Sequence, residues 1–180
     1  MILYFITGNE HKVKESRQIL GEVESLDIDL PEIQSLDPKQ VIGAKLREAR
    51  KHHQGPLFCE DVSLYLDCLN GLPGTLIKWF LKSLGPEGIV KITDQYNNPK
   101  ATVKAFIGYY CDDELHFFEG EVKGHIVSPK GESSFGFDPI FQPEGHDKTF
   151  AEMSLEEKNT ISHRRKALQK LKKYLENGHQ

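Results

Sequence analysis

The chain opens on an unbroken stretch of strand-favouring residues, Ile2 to Ile6, which predicts a strand buried on both faces, as parallel sheets require. The turn TGNEHK follows. The period then changes: Val13, Ile19 and Leu20 recur at helical spacing as far as Gly21, a residue suited to closing a helix. Val23 to Ile28 predicts a second strand and DLPEIQSLD a loop. Asp37-Pro38 predicts a helix start, with Asp37 as N-cap, Pro38 at the first helical position and Gln40 at the third. Ile42, Leu46 and Ala49 share one face of that helix, and Gly55-Pro56 ends it. Leu57 to Asp61 reads as a strand that Val62 to Leu66 continues in extended form, and NGLPG as a turn. Helices are expected over Thr75–Leu84 and from Pro86 to about Thr93.

From Thr102 to Cys111 the pattern alternates. Val103, Ala105, Ile107 and Tyr109 fall on one side, Thr102, Lys104, Phe106 and Tyr110 on the other. Asp112-Asp113 makes a turn and Leu115 to Val127 returns, so the two long strands predict an antiparallel hairpin. Ser128 to Gly136 is a loop. Ser154-Leu-Glu-Glu157 is a capping box, and Ile161, Leu168, Leu171 and Leu175 form a helical stripe expected to pack in the core. The order of elements predicts an α/β fold with a mixed sheet, built as one domain over residues 1–180, with a cleft where strand ends gather.

Composition narrows the function. With 23 Lys and Arg against 27 Asp and Glu the formal net charge is −4, which argues against binding nucleic acid polymers. The three cysteines, Cys59, Cys68 and Cys111, form no CxxC pair, so neither a zinc site nor a disulfide framework is expected and a reducing, cytoplasmic setting is. The apolar run at the start is too short for a signal peptide or a membrane span.

Several segments carry chemistry. Thr7-Gly8-Asn9 joins a strand to a helix start, a place where backbone N–H groups and the helix dipole favour an anion, and Lys12 in the first turn suits an anion better than it suits the dipole. Glu32 and Asp61 sit at element ends as hard oxygen donors of the kind magnesium takes alongside phosphate. Glu60 and Asp61 are adjacent on an extended segment and must face opposite ways. Lys45, Lys78, Lys158, His163 and Arg164 bring cationic donors from three parts of the chain, as a phosphate chain needs. In SSFGFDPIF, two phenylalanines and an aspartate make an aromatic shelf with a carboxylate beside it. Such a shelf can stack a planar heterocycle, or the rings can simply be core.

Taken in order, TGNEHK, LPEIQ, CED, GLPGTLIKWFL, SFGFDPIFQPEG, TFAEMSLEEKN and SHR resemble the inosine triphosphate pyrophosphatase family, the Ham1-like non-standard purine NTP pyrophosphatases, from Ile2 to about Leu175. The resemblance implies an elongated mixed α/β fold of two lobes with a central nucleotide-binding cleft, and a homodimer. It implies hydrolysis of ITP, dITP and XTP to the monophosphate and pyrophosphate with Mg2+, or Mn2+ in its place. It assigns Thr7, Gly8, Asn9 and Lys12 to the phosphates, Glu32 and Asp61 to the metal, and Asp61 to activation of the attacking water. Lys45 and Lys78 become further ligand-binding lysines. Phe135 becomes the stacking ring, with Gly136, Phe137 and Asp138 completing its loop, and Lys158, His163 and Arg164 read the 6-oxo purine edge. Val62-Ser63-Leu64 departs from the Ser/Thr-Gly-Leu common after the family's aspartate. Two alternatives stand beside this reading: a pyrophosphatase of broader NTP range, and a nucleotide sensor without turnover.

Overall fold

The computed structural model describes residues 2–132 and 136–178. The chain gathers into two compact units. The first comprises residues 1–61, 105–120 and 164–180, the second residues 62–104 and 121–163. A mixed sheet has the strand order β2-β1-β3-β5-β6-β7, with β4 on β3. Its strands are β1 (Leu3–Phe5), β2 (Val23–Ser25), β3 (Leu57–Leu66), β4 (Pro73–Gly74), β5 (Lys100–Cys111), β6 (Glu114–Ile126) and β7 (Phe141–Pro143).

In the first unit β1 pairs in parallel with β2 (Leu3 opposite Val23) and with β3 (Tyr4 opposite Leu57). The apolar opening run is thus flanked by strands on both sides, and the Phe5 and Phe58 rings stack at 4.3 Å. Helix α1 (Glu10–Leu20) starts at Asn9 and stops at Gly21, whose φ of 89° favours glycine. Helix α2 (Pro38–Arg50) starts at Asp37, whose carboxylate accepts from the Lys39 N–H. Gln40 does not complete a capping box, because the Ser35 hydroxyl takes the Asp37 N–H and itself bonds to Gln40. The helix ends well before Gly55-Pro56. Its apolar face lies on β5 at Gly108, where a Cβ would come within 2.2 Å of Ile42 and 2.6 Å of Leu46. Val103, Ala105, Ile107 and Tyr109 are all buried, as the alternation requires. Asp112 and Asp113 both have positive φ, the conformation of a tight two-residue hairpin turn. Helix α5 (His163–Glu176) carries Leu168 and Leu171 inward.

The second unit has its own core, including Leu64, Ile89, Val103, Ile126, Phe141 and Phe150. Helix α3 (Ile77–Gln95) is broken at Gly85, with φ 69°, so Pro86 begins its second segment as expected. Strand β7 had no signal of its own and forms by pairing with β6, where a Cβ on Gly124 would sit 2.3 Å from the Gln142 carbonyl oxygen. Helix α4 (Leu155–Ile161) carries the expected capping box, Ser154 with Glu157. The C-terminal stripe is not one helix: Ser162 is extended and separates α4 from α5. No helix among the described residues is long and apolar enough to cross a membrane.

Candidate active site

The turn after β1 is built by its own side chains. Thr7 Oγ1 accepts from the Asn9 N–H at 3.1 Å, and the Ser25 hydroxyl donates to the Thr7 carbonyl. Asn9 Oδ1 accepts from the N–H groups of His11 and Lys12, at 3.0 and 3.3 Å. Three backbone donors of this segment, those of Asn9, His11 and Lys12, are therefore satisfied within the turn, and Asn9 acts as the helix cap. A Cβ on Gly8 would lie 2.9 Å from Asp27 Oδ1, the end of an exposed side chain.

Lys12 reaches from the first turn of α1 to Glu60 on β3, with Nζ 3.1 Å from Oε1. The Glu60 side chain is 1% exposed. Arg164, at the start of α5, grips it in a fork, Nε to Oε2 at 2.6 Å and Nη2 to Oε1 at 3.0 Å, and donates from Nη1 to Glu15 at 2.9 Å. Burial alone would push the Glu60 carboxyl up. The charges of Arg164 and Lys12 outweigh it and hold the group well below the usual carboxylate range. Arg164 is raised for the converse reason, its burial more than offset by Glu60 and Glu15.

On the other side of β3, Cys59 packs against α2, its thiol directed at the Ile42 carbonyl at 4.0 Å. Strand alternation puts Asp61 on this side. Burial pushes the Cys59 thiol up to about 12, so it is no nucleophile. Lys45, Asp61, Glu60 and Lys12 all act electrostatically on that thiol, which places the four charges around one short stretch of β3. Lys45 and Glu32, expected as a ligand lysine and a metal acid, meet in an ion pair at 2.8 Å, with Glu32 45% exposed.

In the second unit the buried Asp138 pairs with the half-buried Lys158 at 2.5 Å. The Lys158 ammonium also lies 5.0 Å from the Phe150 ring centre. His163 is buried, 5.8 Å from the Phe150 ring and 6.5 Å from Phe137. Phe137 belongs to the core of this unit, which is the plainer of the two readings of the aromatic shelf. Phe135, the expected stacking ring, lies outside the described residues. Gly136 allows Leu81 close, a Cβ there meeting Leu81 Cδ1 at 2.4 Å. Lys78 is exposed at the start of α3, its ammonium 5.9 Å from the Trp79 ring centre.

Glu60 and Glu15 were not singled out as site residues. Glu15 left a trace in the sequence: it stands four residues before Ile19, on the inward stripe of α1, where an acid must find a cation.

The Ham1 family model matches residues 3–174. The inosine triphosphate pyrophosphatase of Schizosaccharomyces pombe is 41% identical over 179 residues, covering 97% of this chain and 95% of that protein. The structure of the Staphylococcus aureus Ham1 protein superposes with a TM-score of 0.83 at 28% identity, over 99% of this chain and 100% of that one. A nucleoside-triphosphatase, or dITP/XTP pyrophosphatase, from Mycobacterium abscessus gives a TM-score of 0.73 at 29% identity, over 95% and 98%. Fold, sequence match and the order of motifs along the chain agree, and the chain belongs to the Ham1 family.

Proposed function

We propose that the chain hydrolyses non-standard purine nucleoside triphosphates, ITP, dITP and XTP, at the α–β phosphoanhydride bond, releasing the monophosphate and pyrophosphate. The observation that carries this reading is the Lys12–Glu60 ion pair at 3.1 Å next to Asp61 on β3, where that strand runs beside the end of β1 and the turn at Thr7, with the charge of Lys45 also felt there. The relatives named for ITP and for dITP/XTP pyrophosphatase activity support the same chemistry.

Thr7, Gly8, Asn9 and Lys12 take the phosphates in this reading, with Lys45 and Lys78 adding positive charge. Asp61 orients a water and accepts its proton as it attacks the α-phosphorus, and the lysines stabilise the departing pyrophosphate. Phe135 stacks the purine, with Gly136, Phe137 and Asp138 shaping the loop that holds it. Lys158, His163 and Arg164 read the 6-oxo edge. A 6-oxo group accepts hydrogen bonds, whereas the amino group of adenine donates there and leaves buried donors unpaired, which is costly.

Magnesium, or manganese in its place, is the ion this chemistry implies, and the donor set fits it. Glu32 and Asp61 are hard carboxylate donors of the first unit, and no group of three or more His, Cys, Asp or Glu able to hold a metal occurs among the described residues. Magnesium characteristically takes one or two carboxylates and completes its octahedron with substrate phosphates and water. When bound it neutralises phosphate charge and acidifies a coordinated water.

The same reading carries a cytoplasmic homodimer, tested by sedimentation for twice the 20.5 kDa of one chain. The decisive experiment supplies ITP and magnesium, resolves the products by phosphorus NMR, and uses ATP and GTP as controls. IMP with pyrophosphate is the expected result, with little product from ATP. IDP with orthophosphate overturns the placement of the triphosphate, and binding without any turnover leaves a sensor.

A further inference from the structure

The parallel register of β1 and β2 sets Leu3, Tyr4 and Phe5 level with Val23, Glu24 and Ser25. It persists past the ends of both strands, where the Leu26 N–H donates to the Phe5 carbonyl at 2.8 Å and the Ser25 hydroxyl donates to the Thr7 carbonyl. Asp27 is thereby carried to the turn that follows β1. Its carboxylate lies on Gly8, with Oδ1, Cγ and Oδ2 at 2.9, 3.0 and 3.0 Å from the position a Cβ would take there. Three nearly equal distances mean that the carboxylate lies flat against the glycine, and the missing side chain is what lets it come so near.

The surroundings draw an anion. Gly8 stands just before the N-terminus of α1, an eleven-residue helix whose dipole favours negative charge. The N–H groups of Asn9, His11 and Lys12 are taken by side chains of the turn, whereas those of Gly8 and Glu10 meet no acceptor among the described residues. Lys12 is turned to Glu60, with Nζ 3.1 Å from Oε1. Among the described residues no hydrogen bond or ion pair holds the exposed Asp27 carboxylate. It ties nothing together, so what it brings to the turn is its charge.

We propose that Asp27 is a selectivity residue of the phosphate turn. Its carboxylate stands at the approach to the donors that a phosphate chain would take, so bare polyphosphate is held weakly and the pyrophosphate product leaves readily. The proposal rests on the placement of the phosphates at Thr7 to Lys12 given above. Two like charges at one turn repel, and one of them must move or be neutralised. A phosphate chain complexed with a divalent cation carries less net charge and meets less repulsion, so Asp27 favours the complexed nucleotide over the bare one. In this account Asp27 is no ligand of the cation.

The test titrates inorganic pyrophosphate by calorimetry, with a chelator removing divalent cations, into the natural protein, Asp27→Asn, Asp27→Ser and Lys12→Gln, with melting temperature recorded for each. Asp27→Asn and Asp27→Ser should bind about fivefold more tightly at low ionic strength, as loss of one repelling charge in watery surroundings implies. In roughly 1 M salt the gain should fall below about twofold, because exposed charges are screened. Excess magnesium in place of the chelator should narrow it likewise. Unchanged affinity in both neutral variants overturns the proposal. A gain that salt leaves intact means relief of crowding on Gly8 and overturns it too. Weaker binding by the variants once magnesium is present makes Asp27 a metal ligand and also overturns it. Lys12→Gln should lose affinity. If pyrophosphate fails to bind the natural protein, or binds a folded Lys12→Gln equally well, the phosphates do not sit at this turn, and the underlying reading falls together with the proposal, an outcome distinct from any effect of Asp27.

Discussion

Alternation along β3 turns Glu60 toward α1 and α5 and leaves Asp61 on the side of Cys59 and α2. Glu60 is locked between two cations, with little capacity left to take up a proton, whereas Asp61 is the carboxylate assigned to the water. Replacing Asp61 with Asn keeps the shape and removes the base. Turnover of ITP should then fall by roughly 10²–10⁴-fold. Binding of a non-hydrolysable ITP analogue, read by calorimetry, should persist, and unchanged turnover would take Asp61 out of the mechanism. The sequence disclosed that these neighbours face opposite ways, because strand period is a local property. It did not disclose which of them was buried, because Arg164 lies 104 positions from Glu60 and only the fold brings them together. Lys12 was legible as an odd cation at a helix start for the same local reason, while its partner was not.

Elements whose ends are coded by adjacent residues were the readable ones. Asn9 and Gly21 bound α1, Asp37 starts α2, and Ser154 with Glu157 starts α4. Strand β7 and the break at Ser162 were not readable, since three residues make a strand only through a distant partner, and a continuous apolar stripe conceals one extended residue within it. The cap on α4 matters because that helix presents Lys158 to Asp138. Ser154→Ala should cost about 1 kcal/mol in urea unfolding. Glu157 adds a pH dependence. Its carboxyl is held below the ordinary glutamate value by the hydrogen bond from Lys148 and then by the Ser154 N–H. A lowered folded-state value means that the unfolded chain binds the proton more readily. The stabilisation is therefore complete above the unfolded-state pKa and lost as pH falls through the folded-state one. Unfolding curves of the natural protein and Glu157→Gln should differ at pH 7 and converge as the solution is acidified below the glutamate range. A gap that stays constant to low pH would remove the charge on Glu157 from the account.

Over the whole molecule, the alternation of strand and helix patterns was enough to indicate a mixed α/β fold. It could not indicate that the two compact units are assembled from three and two separate chain segments, since that interleaving follows from which strands pair and from nothing in local composition. Charge shows the same division between average and arrangement. A net charge of −4 disfavours a polyanion, yet Lys12 and Lys45 stand with Asp61 at one stretch of β3. A protein that binds a nucleic acid polymer through many phosphate contacts loses roughly 10³–10⁵ in affinity between 50 and 200 mM salt, because each contact releases counterions. Here the cations are few, partly buried and already compensated by neighbouring carboxylates, so screening has less to remove. The KM for ITP, measured at fixed free magnesium, should therefore rise by less than about tenfold over that same range. Duplex DNA or single-stranded RNA added at the concentration of the substrate should leave ITP turnover unchanged. A salt dependence as steep as that of a polymer binder, or inhibition by either polymer, would mean that the working surface is a broad basic face, and the assignment of these few cations to one triphosphate would fail.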